Sequence, residues 1–329
     1  DTIDAGSGND TINAGAGNDT IDGGLGTDTI NAGAGNDFIT GGSSVDTIDA
    51  GDGNDTIYFT AGDFWDNVDG GAGIDTIDAS AITQSGGVFD FQAGTINGYG
   101  GALTLVNVEN FIGGDTTNDT IISDGSGSFS GGGGNDYMTA GLGTAETLDG
   151  GTGIDTLDTT PYNGNYEINL VTGVTNFGGE SFVNFENVVT GNGSDTITGT
   201  AGNNIITTNG GNDVIDAGAG NDTIDGGLGK DTISYDTATG DVTINIALVG
   251  AQVTGGAGTD TLASIESVIG SAFDDRITGS SIANTLEGGD GIDTIFGQAG
   301  NDTIRGGNGD DVRLDGGAGD DIIYGESGD

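Results

Sequence analysis

Near the start of the chain an apolar residue recurs every nine positions. Ile12, Ile21, Ile30, Ile39, Ile48 and Ile57 each stand between outward-type residues, as in Thr20-Ile21-Asp22. One inward side chain between two outward ones predicts a strand of about three residues, because side chains alternate across a strand. The six residues separating two such triplets, for example Gly23-Gly24-Leu25-Gly26-Thr27-Asp28, carry no apolar period. They are glycine-rich and must reverse the chain tightly, which glycine permits by entering φ > 0. Two turn-plus-strand units close one coil, so residues 18 apart, twice the nine-residue period, are predicted to lie one above the other.

The polar positions obey the same period. Asp10, Asp19, Asp28, Asp37, Asp46 and Asp55 follow one another at nine-residue intervals, within the frame small-Gly-x-Gly-x-Asp-x-Ile/Leu-x. The frame returns with Asp75, Asp136 and Asp155, then with Asp195, Asp213, Asp222 and Asp231, and finally with Asp275, Asp293, Asp302, Asp311 and Asp321. Asn204 and Asn284 stand where two copies would have Asp, and the copies at 140–149 and 306–315 carry ten residues, which predicts a local bulge. This pattern resembles the RTX (repeats-in-toxin) nonapeptide Gly-Gly-x-Gly-x-Asp-x-U-x, a calcium-binding β-helix repeat. With it, the fold class is all-β: a right-handed parallel β-roll, or β-solenoid, of 18 residues per coil with wider interrupting coils. The resemblance also implies a bacterial protein that is secreted, commonly by type I machinery, and folded outside the cell by calcium.

Composition sharpens this picture. Gly accounts for 71 of 329 residues, and 4 Lys+Arg against 52 Asp+Glu give a formal charge of 4 − 52 = −48. No basic patch for nucleic acid can be assembled from Lys230, Arg276, Arg305 and Arg313. With no Cys and no His there are no disulfides, no imidazole zinc sites and no Ser-His or Cys-His nucleophile. No apolar run has the length of a membrane span, and Asp1-Thr2-Ile3-Asp4 is not a secretory leader.

Stacked coils create an electrostatic problem. The predicted columns Asp10/Asp28/Asp46 and Asp19/Asp37/Asp55 place carboxylates about 4.8 Å apart, one coil spacing. Such a pair repels by about 1 kcal/mol in water and about 3.5 kcal/mol at an effective dielectric of 20. A hard cation between coils reverses the sign. Ca²⁺ takes oxygen ligands only, and no soft ligand competes here. The candidate metal ligands are therefore the framed aspartates above, with backbone carbonyls from the glycine turns: Gly6, Gly8, Gly15, Gly17, Gly24, Gly26, Gly33, Gly35, Gly218, Gly220, Gly227, Gly229, Gly289 and Gly291. Multiple Ca²⁺ ions are the only cofactor expected. One buried Ile or Leu per nonapeptide does not offset the entropy of ordering nine residues, so folding is expected to couple to metal.

Three longer segments interrupt the array. They close in matching phrases, Val108-Glu109-Asn110-Phe111, Phe185-Glu186-Asn187-Val188 and Ile265-Glu266-Ser267-Val268, which puts a repeat of about 80 residues over the nonapeptide. Alternation in Val88-Phe89-Asp90-Phe91, Tyr166-Glu167-Ile168-Asn169-Leu170 and Val242-Thr243-Ile244-Asn245-Ile246 predicts strands. The expected organisation is β-roll over 1–58, 131–158, 190–234 and 270–329, with wider coils over 59–130, 159–189 and 235–269, in one continuous solenoid. Phe59, Phe64 and Trp65 are read as capping or coil-widening residues in preference to a contact patch. Asp1 falls at the sixth place of a frame and Gly325–Asp329 open another, so a longer parent chain is expected.

The favoured function is a calcium-binding structural region of a secreted or cell-surface protein: adhesin stalk, spacer or surface-layer component, with self-assembly or cell-surface contact as its partner class. The alternative is the secretion and folding tail of an exported hydrolase or toxin. Catalysis by a carboxylate pair is set aside because the acids recur at every coil and none is singled out; the chain is expected not to be an enzyme. An ice-binding threonine row (Thr11, Thr20, Thr29, Thr47, Thr56) is set aside because outward Thr is ordinary in strands.

Overall fold

The structure is a computed structural model that describes residues 1–328 except 61–65, 84–86, 99–100 and 144. Every regular element among the described residues is a strand. The chain divides into two compact units, one comprising 1–161 and 177–185, the other 162–176 and 186–329. Each is a parallel β-solenoid, consistent with the right-handed β-roll of the sequence reading.

In the first unit, successive short strands alternate between two parallel sheets. Thr2–Asp4, Thr20–Asp22, Phe38–Thr40 and Thr56–Tyr58 stack in one, and Thr11–Ala16, Thr29–Ala34 and Thr47–Asp52 in the other. The register is 18 residues, with Ile3 opposite Ile21 and Ile12 opposite Ile30. The strands are short because one inward residue is all that fits between turns. Ile21, Ile30, Ile39, Ile48 and Ile57 are almost completely buried, and together they make a thin core one side chain wide per strand. The register lengthens to 20 across residues 59–69, two more than a regular coil, and Thr47 there pairs with Asn67. It reaches 19 at both ten-residue copies, where Ser126 pairs with Ala145 and Thr294 with Arg313. Phe59 is buried in the core, whereas Phe64 and Trp65 lie outside the described residues.

The second unit repeats the plan. Thr196–Thr198, Val214–Asp216 and Thr232–Ser234 stack at 18-residue spacing, as do Ser267–Ile269, Thr285–Asp290 and Thr303–Asn308.

The interruptions add hairpins to the coils. The opening strand of each pairs in parallel with a later coil: Val88–Asp90 with Thr120–Ile122, Glu167–Asn169 with Thr196–Thr198, Thr243–Asn245 with Arg276–Thr278. Each segment then folds back on itself as an antiparallel hairpin. Val88–Asp90 meets Thr95–Gly98, Glu167–Asn169 meets Val174–Thr175, and Gln252–Gly255 meets Gly258–Ala263. A short polar side chain caps the turn that follows each opening strand: Asp90 accepts from the Ala93 N–H, Asn169 from Val171 and Thr172, Asn245 from Ala247. The first interruption also widens the core with aromatics. Phe89 and Phe111 have ring centroids 4.2 Å apart and Phe91 and Phe129 4.7 Å.

Candidate metal sites

The framed aspartates form ladders along the turns. Along a ladder, a carboxylate Oδ1 accepts a hydrogen bond from the backbone N–H of the equivalent residue one coil earlier. The Asp10 N–H donates to Asp28 Oδ1 at 2.7 Å and Asp28 to Asp46 at 2.6 Å. In the second column Asp19 donates to Asp37 and Asp37 to Asp55 at 2.7 Å, and Asp55 to Asp75 at 2.8 Å. The two predicted columns are therefore present, in the predicted order.

The later candidates behave alike. Asp136 donates to Asp155. Asp195 donates to Asp213, which donates to Asp231, and Asn204 donates to Asp222. Asp275 donates to Asp293 and Asp293 to Asp311, while Asn284 donates to Asp302 and Asp302 to Asp321.

What Oδ1 gains, Oδ2 lacks. At Asp10, Asp19, Asp28, Asp37, Asp46, Asp55 and Asp75 this second oxygen is buried without a protein hydrogen-bond partner, and so it is at Asp136, Asp213, Asp222, Asp231, Asp293, Asp302 and Asp311. A buried carboxylate oxygen with no partner is strongly unfavourable. Burial accordingly pushes the acids up from 3.8, to about 6 at Asp46, Asp75, Asp222 and Asp231 and to about 7 at Asp136 and Asp293. The neighbouring carboxylate in the column adds to the rise at Asp46, Asp136 and Asp293.

The glycines complete the cradle. Every candidate glycine, from Gly6 and Gly8 to Gly289 and Gly291, adopts positive φ. A Cβ on Gly26 would stand 1.8 Å from the Gly8 carbonyl oxygen one coil earlier. Only glycine lets successive carbonyls approach so closely. Among the described residues no three acidic side chains converge on a point, so a bound cation would draw its ligands from one or two carboxylates and several carbonyls. That donor set is all oxygen, and it fits Ca²⁺ better than a thiolate- or imidazole-seeking metal. The residues present therefore fit the ion.

The ladders also contain acids outside the nonapeptide frame. Asp46 donates to Asp66, Asp119 to Asp136 and Asp222 to Asp260. Asp75 donates to Glu109 Oε2 at 2.8 Å and Asp231 to Glu266 Oε2 at 3.0 Å. These glutamates belong to the phrases that close the interruptions, so the phrase restores the column after the chain's excursion. Its recurrence was visible in sequence; its role was not, because Glu109 and Glu266 lie 34 and 35 residues from their partners instead of 18.

Asp195 and Asp275 differ from the other candidates. Thr190 Oγ1 donates to Asp195 Oδ2, and Ser271 donates to Asp275 Oδ2 through both its N–H and its hydroxyl. Asp260, in the third interruption, is held likewise by Thr254 Oγ1 at 2.9 Å and the Tyr235 hydroxyl at 3.2 Å. Placement in a column is thus not the same as an open oxygen.

A family model for the RTX calcium-binding nonapeptide repeat (four copies) matches residues 1–30, 22–57, 60–81, 189–224, 209–237, 278–312 and 313–329. These residues cover more than half of the chain. The turns that carry Asp136 and Asp155 fall outside the match but show the same backbone and the same ladder. No curated protein matches the chain.

Proposed function

Because the chain belongs to the RTX calcium-binding nonapeptide repeat family, we propose that it is a structural region of an exported bacterial protein, of adhesin-stalk, spacer or surface-layer type, that folds and stiffens when calcium enters its turns outside the cell. The observation that carries this reading is the pair of ladders of buried carboxylates whose Oδ2 atoms have no protein partner. Calcium is held by the framed aspartates, Asp28 and Asp37 among them, and by carbonyls of the glycine turns. Bound there, it supplies positive charge where the coils stack acids upon acids. The protein's own groups do the rest: Oδ1 fixes the register, and the isoleucines exclude water. The chain carries out no catalysis of its own in this reading, since the acids recur coil after coil and no pair is set apart.

Circular dichroism with parallel calcium-binding calorimetry tests the proposal. In chelator the chain should show little β signal, and added calcium at about 0.1–1 mM, the range of extracellular modules, should restore it cooperatively. Equal β content with and without calcium would remove the metal from the fold. A catalytic domain in the same parent polypeptide would move the reading to the folding tail of an exported hydrolase.

A further inference from the structure

The turns come in two forms, and the second residue of the six-residue turn separates them. In the open form this residue has positive φ and the acid keeps a buried, unpartnered Oδ2. Gly24 with Asp28, Gly132 with Asp136 and Gly289 with Asp293 are examples. The rule does not depend on glycine as such. Asn209 (φ 53°) and Gln298 (φ 79°) occupy the same place in left-handed conformation, and Asp213 and Asp302 beside them are open.

In the closed form the second residue is outside the left-handed region and turns its N–H onto the sixth side chain. The Ser280 N–H donates to Asn284 Oδ1 at 2.7 Å and Thr200 to Asn204 Oδ1 at 2.9 Å. Ser271 does the same to Asp275, with its hydroxyl added. The Gly114 N–H reaches Asp119 Oδ2, which also accepts from Thr117 Oγ1 at 2.8 Å. Asp195 is closed by the hydroxyl of Thr190, the first residue of its turn. At Asn204 and Asn284 the charge is absent altogether, and Nδ2 donates to a backbone carbonyl one coil earlier, that of Glu186 or Glu266.

Five of these closed positions follow the phrase that ends an interruption: Asp119 after the strand Asn110–Ile112, Asp195 and Asn204 after Asn187–Val189, Asp275 and Asn284 after Ser267–Ile269. Two lie elsewhere: Asp260 is closed within the third interruption, and Glu146 Oε2 accepts from the Gly141 N–H and the Ser123 hydroxyl. A closed turn after an interruption has no open carboxylate oxygen for a cation, and hydroxyl and amide hydrogens sit where the cation's charge would act.

We infer that the turns following each interruption are built to close without calcium, so that they divide the calcium columns into separate blocks, and that the backbone conformation at the second place of the turn decides which turns take the ion. The inference rests on the calcium reading above. It assigns Asp195 and Asp275, which match the family's frame, to hydrogen-bonded closure and not to metal binding. Each block of open turns that follows an interruption then stacks onto a coil already closed by the protein's own donors.

Two measurements test this. In crystals of the native chain grown with calcium, anomalous scattering should place ions at open turns such as 23–28, 131–136 and 288–293, and none at 190–195, 199–204, 270–275 or 279–284. Ions in these closed turns would overturn the inference; ions in no turn at all would overturn the calcium reading itself. In solution, the double variant Ser280→Gly, Asn284→Asp recreates an open turn and should bind at least one more calcium per chain than the native protein by equilibrium dialysis. An unchanged count in the folded variant would also overturn it. Should that variant not fold, the crystallographic result on the native chain decides alone.

Discussion

Replacing Asp46 by Asn should change stability in opposite directions with and without calcium. Asp46 is fully buried; its Oδ1 accepts from the Asp28 N–H at 2.6 Å, and its Oδ2 has no protein partner. Asparagine keeps the size and shape, and Asn204 and Asn284 show that a column accommodates it, with Nδ2 donating to a backbone carbonyl one coil earlier. The charge is lost and an amide donor takes the place of Oδ2. In chelator near neutral pH, Asp46 and Asp28 lie about one coil spacing apart, about 4.8 Å. Removing that repulsion is worth between about 1 kcal/mol at the dielectric of water and about 3.5 kcal/mol at an effective value of 20. With calcium present the same substitution removes a ligand. A site filled at tenfold its dissociation constant contributes about 1.4 kcal/mol, and a carboxylate shared between two coils can affect two such sites. Asp46→Asn should therefore raise the urea midpoint in chelator and lower it in calcium, each followed by far-ultraviolet circular dichroism. A loss of stability in both media would mean that the column acids act as hydrogen-bond acceptors and not as charges balanced by an ion.

Acid should partly substitute for calcium. Asp46, Asp75, Asp222 and Asp231 sit at about 6 and Asp136 and Asp293 at about 7 in the metal-free fold, against 3.8 unfolded. The folded chain then binds more protons than the unfolded one, so this stabilisation is complete below 3.8 and disappears as the pH climbs through 6 to 7. In chelator the β signal at about pH 5 should exceed that at about pH 8; the reverse order would contradict the burial of these groups. Gly53→Ala should destabilise by about 2 kcal/mol or more, since φ is 142° and the new Cβ would stand 1.8 Å from the Gly35 carbonyl oxygen, which is backbone and cannot rotate away. Ala34→Ser, at the exposed end of the strand Thr29–Ala34, is its control and should stay within about 0.5 kcal/mol in the same denaturation assay.

Periodicity by itself determined the strands, the coil length and the columns of this chain. A nine-residue repeat with one inward Ile leaves a single way to stack, and Asp10, Asp28 and Asp46 fall above one another as soon as two repeats close a coil. Local rules of this kind are legible because every term acts within one nonapeptide: alternation for Ile21, positive φ for Gly24 and Gly26, and charge for Asp28. Tertiary structure decided the rest. Glu109 and Glu266 enter the columns only because hairpins absorb the intervening chain, and no local pattern states how much chain a hairpin will absorb. Asp195 and Asp275 match the frame residue for residue at the acid, yet they are closed by Thr190 and Ser271. Whether a carboxylate oxygen is open depends on whether a peptide N–H or hydroxyl of its own turn points at it, and that follows from the backbone conformation of the turn.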